Sequence, residues 1–152
     1  MTIPAKFGDA DQERILTEIA DQLKFLLPPG WDYVQIKYNA IGEHRETAAI
    51  VQSVAETLTP WTPPEVISDL FAELREGAAN PVGGTWFGAV FEMRHPGSFR
   101  VNFNGTAEPE FRNPPPAEAF SDELRRFPRA AENIPDWLRL RAGESGESGD
   151  GS

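Results

Sequence analysis

From Asp9 to Leu27 the apolar residues Ile15, Leu16, Ile19, Leu23, Leu26 and Leu27 recur at three- and four-residue spacing, which predicts an amphipathic helix. Pro28-Pro29-Gly30 ends it, because proline lacks the N–H a continuing helix needs. The period then changes to two. Trp31 to Ala40 sets Val34, Ile36, Tyr38 and Ala40 on one face against Tyr33, Gln35, Lys37 and Asn39, the pattern of a half-buried strand. A second strand, about Arg45 to Val54, follows a short connection through Gly42. Its inward face stays open between Ala48, Ile50 and Val54 and the alternative set Thr47, Ala49 and Val51.

Thr59-Pro60-Trp61 reads as a turn. Thr62-Pro63-Pro64-Glu65 has the spacing of a capping box with prolines in the first helical turn. The helix that follows carries Val66, Ile67, Leu70, Phe71 and Leu74 as its apolar stripe, with Gly77 placed to stop it. Thr85 to Met93 and Phe99 to Phe103 form a hairpin across His95-Pro96-Gly97, expected as a type I turn with a left-handed glycine. That loop pairs Arg94 with Ser98, Met93 with Phe99, Phe91 with Val101 and Ala89 with Phe103. It also sets Glu92 opposite Arg100, so pattern, turn and charge agree on one register.

Thr106 to Pro116 holds four prolines and no periodicity, and is expected to be a long surface excursion. Helix returns over Ala117 to Phe127, through Phe120, Leu124 and Phe127. Ile134-Pro135-Asp136-Trp137-Leu138 reads as a last short helix that docks Trp137. From 142 to 152 the chain is Gly, Ser, Glu and Asp after one Ala, the composition of a disordered acidic tail. The order of elements predicts one α+β domain over residues 1–141, an antiparallel sheet of about four strands in two hairpins with helices packed on one face.

Charge narrows the partners. The 152 residues carry a formal net charge of -10, and a nucleic-acid groove would need clustered Lys and Arg instead. Residues 1–110 hold 16 acids and 8 basic residues, so the negative field sits on the N-terminal two-thirds. Such a surface suits a basic protein, and it also keeps a protein soluble. There is no cysteine, which removes disulfides and thiolate sites and fits a reducing compartment. The first residues lack the apolar run of a secretory signal and no stretch approaches a membrane span, so the expected location is cytoplasmic.

Catalytic constellations are hard to find. The only histidines, His44 and His95, fall in hairpin connections without a spaced partner, so no metal site and no cofactor is expected. No Gly-x-Ser-x-Gly elbow exists, and Gly83-Gly84 precedes a strand where a phosphate cradle would precede a helix. Asp9 with Asp11, Glu43 with Glu46, and Glu108 with Glu110 are carboxylate pairs in helix starts or loops, where solvated pairs are expected and no apolar cleft is indicated. Arg125, Arg126, Arg129, Arg139 and Arg141 are interleaved with Glu118, Asp122, Glu123, Glu132 and Asp136, a pattern of intramolecular ion pairs. The protein is expected not to be an enzyme.

The run Leu26-Leu27-Pro28-Pro29-Gly30-Trp31 before a strand pair resembles the opening of the YezG-like immunity proteins of bacterial polymorphic toxin systems. The Leu74-Arg75-Glu76 helix end, Thr85-Trp86-Phe87-Gly88-Ala89-Val90-Phe91-Glu92-Met93, Gly97-Ser98-Phe99-Arg100-Val101-Asn102-Phe103 and the Trp137 terminus resemble later parts of the same family. The resemblance covers most of residues 12–140 and rests on hydrophobic pattern, which speaks to fold more than to activity. It implies a small cytoplasmic antitoxin that binds the catalytic domain of a cognate toxin. The chain departs from the family after the last strand, where Asn102 to Glu110 is less acidic and richer in turns than the family's Asp-rich stretch.

The expected function is therefore occlusion of a toxin's active site, by a protein that is monomeric before binding and engages neither nucleic acid nor membrane. The alternative is a small-ligand or enzymatic domain with its site between the sheet and the 106–116 loop. By elimination, the toxin-binding surface falls on the connections of the sheet, at Asp32, Glu43, His44, Glu46, Trp61, Glu108 and Glu110. Trp61, held between prolines, is the expected aromatic anchor.

Overall fold

The apolar stripe of the first helix needs a surface to cover, and a five-stranded antiparallel sheet supplies it. In a computed structural model residues 8–150 are described, with side chains through Gly143. Helix α1 (Asp9–Leu26) leads to β1 (Trp31–Ile41), β2 (His44–Ser53) and β3 (Leu58–Trp61). Helix α2 (Glu65–Gly77), β4 (Gly88–Arg94) and β5 (Ser98–Asn104) follow, then α3 (Glu118–Arg126), a short 3-10 turn and α4 (Asp136–Asp150). The strand order is β3-β2-β1-β4-β5, two hairpins joined through β1 and β4.

The sheet has one strand more than the sequence pattern indicates. Leu58 to Trp61, expected as a turn, pairs with β2, setting Ile50 opposite Pro60 and Ala49 opposite Trp61. Proline is compatible with this place because β3 is an edge strand, where an outward position needs no N–H. The open question over β2 resolves toward Ala49 and Val51, which are buried, while Ala48, Ile50 and Val54 face solvent.

Val34, Ile36, Tyr38 and Ala40 of β1 are buried with Phe91 and Met93 of β4, and α1 and α2 cover them with Ile15, Ile19, Leu23, Ile67, Phe71 and Leu74. Tyr38 stacks on Phe71 at 5.3 Å between ring centroids. Arg45 ties β2 to α2 by bonds to Asp69 Oδ1 (2.8 Å), Glu65 Oε1 (2.7 Å) and the Ser68 carbonyl. The opposite face of the sheet, with Lys37, Ala48, Arg100 and Asn102, is exposed.

Two local expectations are corrected. Helix α2 begins after Pro64 with no side-chain cap, so Thr62 does not close a capping box and the prolines precede the first turn. The reason is that Pro64 keeps its predecessor out of helical conformation. In the second hairpin the register is the expected one throughout, but its turn is not the expected type: the His95–Pro96 peptide is cis, and Gly97 is not left-handed. A Cβ at Gly97 would meet only the flexible end of the Lys24 side chain, which would have to move aside.

The α3–α4 pair builds a second apolar cluster around the β1–β2 turn, from Ile41, Phe87, Ala119, Phe120 and Leu138. Trp137 packs edge-on against Phe87 and donates from Nε1 to the Thr106 carbonyl at 2.7 Å. Helix α4 extends through Asp150, into the segment whose composition predicts a tail from 142; Gly151 and Ser152 lie outside the described residues.

A buried ion pair joins the two clusters. Arg75 of α2 and Glu123 of α3 are 3% and 0% exposed and bond to each other directly. Arg75 Nε also donates to the Trp86 carbonyl at 2.9 Å and its Nη2 reaches the Ala40 carbonyl at 3.4 Å. Glu123 Oε1 accepts the Gly42 N–H at 2.8 Å. Removing one partner of such a pair leaves a charge stranded in low dielectric, so Glu123→Ala should lower stability by about 3–5 kcal/mol in chemical denaturation. A loss under about 1 kcal/mol would show the pair to be incidental.

On the open face Arg100 Nε donates to Glu92 Oε2 at 3.0 Å, the cross-strand contact that the register implies. This bond, foremost, holds the Glu92 carboxyl below its ordinary value of 4.5. A depressed carboxylate stabilises the fold above its unfolded pKa and loses that effect as pH falls through the folded one. Arg100→Met should move the Glu92 titration upward toward 4.5 in carboxyl-carbon NMR. An unmoved midpoint would assign the depression to another source.

Candidate binding surface

The 105–117 connection does not hang free. Leaving β5, it crosses the open face of the sheet at the end that holds the β1–β2 turn. Asn39 Nδ2 donates to the Glu110 carbonyl at 3.2 Å. Glu46 accepts the Arg112 N–H on one oxygen (2.7 Å) and the Asn113 N–H on the other (2.6 Å). His44 Nε2 lies 3.0 Å from the Asn113 carbonyl, and its ring meets Phe111 edge-on at 5.0 Å. The connection then leads into α3.

This path brings Glu43, His44, Glu46, Glu108 and Glu110 to one end of the molecule, although they come from two distant stretches of sequence. Their roles differ. Glu46 spends both oxygens on the loop backbone and His44 is packed against it, so these two hold the surface in place. Glu108 pairs with Arg141 Nε at 3.1 Å. Glu43, in the turn, and Glu110, on the loop, are exposed.

Asp32 and Trp61 stand apart. Asp32 is exposed at the opposite end of β1, roughly 30 Å along the strand from Glu43, and its carbonyl accepts the His95 N–H. Trp61 is half-buried on the helix side of β3 and packs against the main core. An aromatic so placed contributes to folding first.

Two acids join this end that sequence reasoning assigned elsewhere. Glu118 and Asp122 of α3 line a cleft of about 520 Å³ with Glu43, His44 and Arg125. By spacing alone they read as part of the self-neutralising charge pattern of the C-terminal helices. Asp122 does pair with Arg125, as Arg139 does with Asp136, but Arg129 goes to the carbonyls of Thr85 (2.7 Å) and Asn133 (3.1 Å). The i, i+4 spacing of Glu118 and Asp122 was the available signal that both share a face.

Gly42 makes this convergence possible. Its φ is +58°, and a Cβ there would lie 2.7 Å from the Ala119 carbonyl oxygen and 3.1 Å from Asp122 Oδ2. A glycine is therefore demanded both by backbone conformation and by the approach of α3. Among the described residues no group of three His, Asp or Glu side chains could hold a metal ion.

Beneath the loop a cavity of about 220 Å³ is lined by Pro109, Phe111, Pro114, Pro115 and Phe120, with the Glu108–Arg141 pair at its side. It lies between the loop and α3–α4. Compared with known proteins, the chain matches no family model, and no curated protein matches it at a stringent level of similarity.

If Glu46 pins the loop, Glu46→Gln should leave β1 and β2 intact while weakening two charge-assisted bonds. Amide hydrogen exchange at Arg112 and Asn113 should accelerate about tenfold or more, since such bonds are worth about 1.5–3 kcal/mol. Unchanged protection at both amides would show that the loop is held by its other contacts.

Proposed function

We propose that the protein is an immunity protein that binds the catalytic domain of a cognate toxin and covers its active site with the acidic end of the sheet. The observation that carries this reading is the convergence of Glu43, Glu118 and Asp122 on one cleft, with Arg125 paired to Asp122, beside a loop fastened to the strands beneath it. An acidic, preorganised surface complements a basic cleft and speeds encounter with it. The likeness of the strand and hairpin motifs to YezG-like immunity proteins supports the same reading.

In this reading the protein works in the cytoplasm, by occlusion and without catalysis of its own. Among the described residues no helix is long and apolar enough to cross a membrane. The 220 Å³ cavity beneath the loop falls below the roughly 300–1,000 Å³ of small-molecule sites, and its polar groups already pair with each other. That argues against a small ligand in this cavity.

Coexpression with the toxin domain encoded beside the gene should restore growth of cells that the toxin alone arrests. Glu43→Lys combined with Glu118→Lys should slow association about tenfold or more at low salt and flatten its salt dependence, as read by surface plasmon resonance. Trp61→Ala should lower the melting temperature and leave affinity unchanged. Absence of both rescue and binding would sink the proposal, and unchanged association after charge reversal would move the interface elsewhere.

A further inference from the structure

The two edges of the sheet are built differently. β3 is four residues long and contains Pro60, devices that discourage pairing with another chain. β5 has neither. It runs seven residues, Ser98-Phe99-Arg100-Val101-Asn102-Phe103-Asn104, in unbroken register with β4 and, among the described residues, with no strand on its other side. Its helix-side residues continue the core to the very edge: Phe99 stacks on Phe91 at 5.2 Å and Phe103 lies against Trp86 at 5.1 Å. Yet Phe103 is 41% exposed and Phe99 and Val101 are half-buried.

About Val101 the strand carries phenylalanine on both sides, at Phe99 and Phe103, and one charge, Arg100, whose symmetry-related position is the neutral Asn102. We propose that β5 pairs antiparallel with β5 of a second copy, the two-fold axis passing at Val101, so that two sheets become one. In this register Phe99 stands opposite the partner's Phe103 on the helix side, and Arg100 stands opposite the partner's Asn102 on the open face. Aromatic pairs so placed extend the apolar layer across the seam, and no like charges meet. Centring the pair on Arg100 would instead oppose two guanidinium groups. Arg100 is the only charge on β5 and already bonds Glu92, so the net charge of -10 is not concentrated at this seam.

The geometry leaves the acidic surface free. Gly88 pairs with both Asn39 and Asn104, so the Asn104 end of β5 lies at the same end of the sheet as the β1–β2 turn. Antiparallel pairing of β5 points the two acidic ends in opposite directions, and each copy can engage a partner. A pair of seven-residue strands is a small interface, so the association is reversible and concentration-dependent.

The test is sedimentation velocity of the full-length protein over a range of concentrations. The mass should rise from monomer toward dimer. Asn102 is exposed, so its substitutions spare the monomer fold, which circular dichroism and melting temperature verify. Asn102→Glu faces the partner's Arg100 and should tighten the dimer about fivefold; Asn102→Arg opposes it and should weaken the dimer about fivefold. Monomeric mass at ~1 mM for both wild type and Asn102→Glu overturns the proposal. So does a dimer whose affinity responds to neither substitution, since its contact would lie elsewhere.

Discussion

The bond between Arg75 and Glu123 is the constraint on which the arrangement of the molecule rests. The first apolar cluster, α1 and α2 against the sheet, would close without it. The second, α3 and α4 around Ile41 and Phe87, has only a modest apolar area of its own and must be held to the first. Burying two charges is costly, and the cost is offset because each also bonds backbone: Trp86 and Ala40 carbonyls for Arg75, the Gly42 N–H for Glu123. An apolar pair of the same volume would leave those three backbone groups unsatisfied, so the tolerance that many buried pairs show toward hydrophobic replacement does not extend to this one.

The same bond explains why one end of the sheet becomes a surface. Glu123 pulls α3 against the turn, and the absence of a side chain at Gly42 lets the Ala119 carbonyl approach. Glu118 and Asp122, on the same helix, are thereby carried beside Glu43. Arg129 closes the arrangement from the far side of α3, donating to Thr85 and lying over the Phe87 ring at 4.5 Å. Burial lowers the proton affinity of its guanidinium, but a group with so high an ordinary pKa remains charged through the neutral range.

What the sequence made legible follows from how local each signal is. The β4–β5 register was readable because a three-residue connection, an alternating apolar face and an opposite-charge pair all constrain the same residues. β1 and the stripe of α2 were readable from period alone. β3 was not, because Pro60 is a turn residue by propensity and a strand residue only by virtue of lying at an edge, a tertiary fact. Arg75 and Glu123 were opaque for the same reason: 48 residues separate them, and each reads locally as one more solvated charge on an amphipathic helix. The candidate surface was half legible. Acids in the connections could be named, but that Asp32 would lie at the far end, that Trp61 would turn inward, and that α3 would add two carboxylates all depend on how the hairpin end is wrapped.

Rigidity is what separates this end from a merely acidic loop. An excursion with the prolines of Pro109 and Pro114-Pro115-Pro116 already has fewer unfolded states to lose, and Glu46, Asn39 and His44 remove most of the remainder before any partner arrives. The ordering cost that usually weakens binding by a loop has thus been met in part during folding, because the backbone that carries Glu110 is fastened to the strands beneath it. Long-range attraction alone would be screened within about 8 Å at physiological ionic strength. A fixed array of charges keeps its advantage at contact distance, where geometry decides which basic surface it can accept and which it repels.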